Sequence, residues 1–167
     1  MEFNFETIIV VITIILTGLT AGLCFTWTNA VVPGIKELDD MGFLQAFQQM
    51  NRVIINPIFI IVFFGPFISN MVIVYLKYQN PNTAFWVFVM AGATFILGVV
   101  FVTIFKNVPI NEMLDATNLA TATIEELQSL RQKFEESWTQ WHFLRTLTSL
   151  VSFTLLLVGL ILSNQSS

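Results

Sequence analysis

Four apolar stretches constrain this chain more than any other feature. Residues 8–28, 53–76, 84–105 and 143–162 are each 20 residues long or longer. As helices they would each rise about 30 Å or more, enough to cross the hydrocarbon core of a bilayer. Backbone groups in lipid must be satisfied within their own segment, so such stretches are read as helices. The expected fold is therefore all-α: a single membrane domain over residues 1–167, built as a four-transmembrane-helix bundle with amphipathic helical extensions at its long-loop end. Composition agrees, with 55% hydrophobic and 11% charged residues and a mean hydropathy of +0.75, too apolar for an ordinary soluble domain.

Other classes fall away quickly. Cys24 is the only cysteine and lies inside an apolar run, so an internal disulfide, a CxxC redox pair and a thiolate metal cluster are all excluded. The net charge is -4, the reverse of the basic footprint of a nucleic-acid binder. Met1 to Thr7 is acidic and lacks the Lys/Arg start of a secretory signal, so the segment is read as retained.

Along the chain, Gly18 and Gly22 form a GxxxG face suited to close helix approach. Pro33-Gly34 is expected to break the helix after the first span. In the pattern that follows, Gln45, Gln48, Arg52 and Asn56 share one face, either a wet interfacial stripe or the polar wall of a pocket. Pro57 and Pro66 fall inside the second apolar stretch, and Lys77 to Thr83 is a short turn with Asn82 or Thr83 as N-cap. Ala91, Gly92, Ala93 and Gly98 in the third span read as packing positions. In NVPIN, Pro109 suits the first turn of a helix, while Asn107 and Asn111 offer amides near the membrane surface, for capping or for binding. Thr123 to Glu126 fits a capping box, and its helix should run unbroken from Ile124 to Leu162, with about half of it projecting beyond the bilayer.

The stretch Trp138 to Arg145, WTQWHFLR, holds the only histidine of the chain. At 100° per residue, Trp138, His142, Arg145 and Ser149 share one sector, and Arg131 and Glu135 continue the stripe backward. One face then offers a ring base, a fixed cation and aromatic walls at a membrane boundary. The same residues would also suit an aromatic belt with a snorkelling cation. A single histidine with no Cys or carboxylate cluster cannot supply an ordinary metal ligand set, and no attachment motif supports haem on His142. No metal, flavin or haem is expected.

Charge sets the expected orientation. The termini and the 77–83 turn carry Lys77 alone, whereas the other side carries Lys36, Arg52, Lys106, Arg131, Lys133 and Arg145. An integral protein of the cell (inner) membrane with both long loops in the cytoplasm follows from the positive-inside rule.

Four motifs taken together resemble a known family: VVPG at Val31 to Gly34, FQQMNRVIINPIF at Phe47 to Phe59, NVPINEML at Asn107 to Leu114, and W-x-x-x-H-x-x-R at Trp138 to Arg145. With the Gly-containing first span, they are similar to the DUF1772 membrane proteins, which include the fungal and bacterial anthrone oxygenases. The resemblance covers nearly the whole chain. It implies a four-helix membrane protein and, for characterised members, oxidation of a polyketide anthrone to an anthraquinone by dioxygen without metal or flavin. On that footing the expected partners are an apolar aromatic small molecule, dioxygen and membrane lipids, with no nucleic acid. His142 would serve as base. Arg145 and Arg52 would stabilise the oxyanion, with Gln48, Asn51, Asn56, Asn107 and Asn111 as hydrogen-bonding groups and Trp138 and Trp141 stacking on a planar polycycle. The polar residues of three helix ends are expected to converge on one pocket. The competing reading is a non-enzymatic module whose polar mouth binds a lipid, a quinone or a partner protein.

Overall fold

A computed structural model describes residues 4–165, so Met1 to Phe3 and the end of the polar tail, Ser166 and Ser167, lie outside the described residues. Five helices follow one another: α1 (Phe5–Lys36), α2 (Asp40–Ile54), α3 (Pro57–Lys77), α4 (Thr83–Asp115) and α5 (Ile124–Gln165). No strand occurs among the described residues. α1, α3, α4 and α5 are long and apolar enough to cross a membrane, and the chain is an integral membrane protein.

Short polar residues start these helices because their side chains satisfy first-turn N–H groups that have no partner within the helix. Asn4, Asn56 and Asn82 each accept from the backbone N–H three residues on, at 2.9, 3.0 and 3.0 Å. At the start of α5 the Thr123 N–H donates to Glu126 Oε2 at 2.8 Å and the Glu126 N–H to Thr123 Oγ1 at 3.3 Å, a reciprocal capping box.

The helix does not break at Pro33-Gly34. α1 runs through it, because Trp27–Val31 forms a wider π-helical turn in which the Val32 N–H reaches back to the Trp27 carbonyl. A wide turn just before the proline accommodates the donor it lacks and relieves its ring from the preceding turn. The same solution recurs in α4, where Thr103–Asn107 is π-helical and the Val108 N–H bonds the Thr103 carbonyl ahead of Pro109. The actual break after α1 comes at Glu37 to Asp39, where Asp39 caps α2 by accepting from Gly42 N at 2.7 Å. Val53 and Ile54 belong to α2 and not to the second span. Extended backbone at Asn56, the geometry a residue before proline prefers, ends that helix and lets Pro57 open α3.

α1 and α3 are antiparallel: Thr20 Oγ1 donates to the Val62 carbonyl at 2.9 Å, while Lys77 Nζ meets Glu6 at 2.9 Å at the far end. α4 lies against α5, where Ser152 Oγ donates to the Ala91 carbonyl at 2.8 Å. Gly18 permits close approach, since a Cβ there would sit 2.9 Å from the Phe153 ring. Gly22 contributes nothing of the kind, because its own added Cβ would meet open space.

The first third of α5 extends past the bundle and packs with α2 and the ends of α1 and α4. Phe43, Phe47, Leu114 and Phe134 form a fully buried apolar core there. Arg131 ties this cap to α1 by donating to the carbonyls of Lys36 (2.7 Å) and Leu38 (2.8 Å) and to Asp40 (3.1 Å). The cap roofs one end of the membrane bundle, and the functional groups gather beneath it.

Candidate functional site

Between the cap and the spans lies a mainly apolar cavity of about 400 Å³, within the range usual for small-molecule sites. α5 lines it with Trp138, His142 and Arg145, at i, i+4 and i+7 on one face. Across from them, α4 contributes Val108, Asn111, Glu112 and Asp115, again one face, and Thr103 from the π-helical turn. Thr20, Cys24 and Trp27 of α1 close another side. Asn51 and Arg52 of α2, with Phe59 and Phe63 of α3, complete the wall.

His142 is buried and stacked on Trp138, with ring centroids 4.5 Å apart and 13° between planes. Its Nε2 lies 3.1 Å from the Cys24 carbonyl oxygen, and its Nδ1 lies 2.6 Å from Arg145 Nη2. A carbonyl can only accept and a guanidinium can only donate. The ring is therefore neutral, with the proton on Nε2 and the Nδ1 lone pair already engaged. Arg145 is held further by Thr103, whose Oγ1 accepts from Nη1 at 3.0 Å, and it lies over the Trp138 ring at 5.8 Å. Among the described residues no carboxylate pairs with it.

Several buried polar atoms of lining residues have no hydrogen-bond partner: the donors Arg145 Nε, Trp138 Nε1 and Asn51 Nδ2, and the acceptor Asn111 Oδ1. Each such atom costs about 1–3 kcal/mol when left unsatisfied. All four belong to residues that line one cavity.

The structure thus brings Asn51, Arg52, Asn111, Trp138, His142 and Arg145 to one cavity and puts the other candidates elsewhere. Asn56 caps α3 and donates to the Val53 carbonyl. Gln48 lies in a separate polar cleft and donates to the carbonyls of Leu114 and Thr117 at 2.7 and 3.0 Å, tying α2 to the end of α4. Asn107 is buried beside α5, with Nδ2 3.4 Å from the Trp138 carbonyl. Trp141 is not among the lining residues and lies under the Lys106 ammonium, 4.8 Å from the ring centroid. Arg52 is neutralised by Asp115 at 2.6 Å, on the rim shared by the cavity and the polar cleft.

Sequence reasoning passed over Glu112, Asp115, Thr103 and Trp27. For the first two a signal was available: Val108, Asn111, Glu112 and Asp115 repeat at helical spacing just beyond a span. Among the described residues no group of three or more His, Cys, Asp or Glu side chains gathers to hold a metal ion.

A family model described as anthrone oxygenase matches residues 57–155, which takes in α3, α4 and most of α5, with Asn111, Glu112, Trp138, His142 and Arg145. No curated protein and no solved structure matches the chain.

Proposed function

The chain belongs to the anthrone oxygenase family, and from that premise we propose that it is a membrane oxygenase that converts the acidic methylene of an enolisable aromatic, anthrone-like substrate to a carbonyl. The observation that carries this reading is a lone guanidinium, Arg145, at a mainly apolar cavity and without a carboxylate partner among the described residues.

Loss of a proton from the methylene carbon leaves an anion whose charge is delocalised onto the ring oxygen. Arg145 offers a donor to that oxygen at a mainly apolar cavity, where such stabilisation exceeds that in bulk water. Trp27, Trp138, Phe59 and Phe63 form walls against which a planar polycycle can stack. His142 accepts from Arg145 and donates to Cys24, which makes it the group that aims the guanidinium. The electron-rich carbanion reduces dioxygen directly, so no metal or flavin is needed to carry electrons. The overall change is CH2 plus O2 to C=O plus water.

The test is dioxygen uptake by the purified protein with a panel of anthrones and hydroquinones. Uptake above the no-protein rate, with one water formed per carbonyl, is expected. Tight binding of the same compounds without uptake would favour the alternative, a membrane module that holds a quinone or lipid and makes no bond.

A further inference from the structure

We propose that Glu112 is the proton acceptor of this reaction. The inference rests on the oxygenase reading above.

Six ionisable side chains line the cavity: Cys24, Arg52, Glu112, Asp115, His142 and Arg145. Two are cations and cannot accept a proton. The Cys24 thiol must first lose its own. Asp115 is committed to Arg52 at 2.6 Å. His142 has its only lone pair engaged by Arg145 at 2.6 Å, and the proton on its other nitrogen is held by the Cys24 carbonyl. Glu112 alone is a carboxylate with no hydrogen bond or ion pair among the described residues.

In the reaction the Glu112 carboxylate takes one methylene proton, and the C–H electron pair moves into the ring and onto the oxygen held by Arg145. Dioxygen accepts the pair at the same carbon and forms a C–O bond, and the Glu112 acid returns its proton to the outer oxygen to give a hydroperoxide. Glu112 then removes the second proton of that carbon. The C=O bond forms as the O–O bond breaks, and the departing hydroxide takes the proton from Glu112 and leaves as water.

Proton removal can be read without oxidation. Under anaerobic conditions in D2O, the detergent-purified full chain should speed deuterium exchange at the methylene of anthrone, followed by NMR. Glu112→Gln should lower that exchange and aerobic turnover together by about 100-fold or more, and formate should restore part of the exchange to Glu112→Ala. Glu112→Gln exchanging as fast as the unaltered protein, while the unaltered protein still consumes dioxygen, would overturn the role of Glu112 and leave the oxygenase reading standing. An unaltered protein that neither exchanges nor oxidises any of the compounds would overturn both.

Discussion

Arg145 Nη2 and His142 Nδ1 lie 2.6 Å apart, one helical turn from each other on α5, and this contact divides the labour of the site. It gives the guanidinium a fixed direction and leaves the imidazole neutral. The two residues share one stripe in the sequence. Their relation depends on a third element, because the Cys24 carbonyl of α1 holds the other ring nitrogen and thereby selects the tautomer.

His142→Phe should keep the stack on Trp138 but release Arg145. A misaligned donor loses most of its effect on a developing charge, so kcat should fall about 100-fold with a smaller change in KM. Arg145→Lys should give a similar loss, since an ammonium cannot reach both His142 and Thr103 and still present a donor to substrate. Steady-state kinetics on both variants checks this, and unchanged kcat in His142→Phe would reduce the contact to a structural one.

Two glycines should behave in opposite ways. A Cβ on Gly98 would collide with the Thr148 side chain, whereas one on Gly22 meets nothing within 4 Å. Gly98→Ala should destabilise the bundle by about 1–3 kcal/mol, and Gly22→Ala should leave it unchanged. Thermal unfolding in one detergent compares them directly.

Arg131→Ala removes the donor group that fastens the cap to the end of α1. Its partners are two backbone carbonyls and Asp40, and its side chain is only 18% exposed, so the loss should be about 2 kcal/mol. Limited proteolysis should then cut faster near residues 37–39, with the membrane spans still protected. The half-exposed Arg52–Asp115 pair should contribute well under 1 kcal/mol by a double-mutant cycle.

The positive-inside rule predicts a cytoplasmic cap. A reporter active only in that compartment should give signal when inserted near Asn118 and none when inserted in the turn at Gln79 to Pro81. The opposite pattern would invert the orientation.

The membrane class, the helical fold and the helix starts at Thr123 and Asn82 were legible in the sequence. Their causes act within one segment: the cost of transferring polar groups to lipid, and side chains that meet N–H groups three residues away. Helical periodicity also placed Trp138, His142 and Arg145 on one face correctly. Periodicity says nothing of what stands opposite a face, and there the tertiary structure decided. It turned Asn56 into a cap, sent Gln48 and Asn107 to backbone carbonyls and left Trp141 under Lys106, because each of those partners lies on a different turn or a different helix. It also carried α1 through Pro33 and α4 through Pro109. The π-helical turns that allow this shift the hydrogen-bond register by one residue; Thr103, which holds Arg145, opens one of them, and Cys24, which holds His142, lies three residues before the other. A proline by itself announces a missing donor; whether the chain breaks there or widens depends on the neighbouring helices that hold the turn.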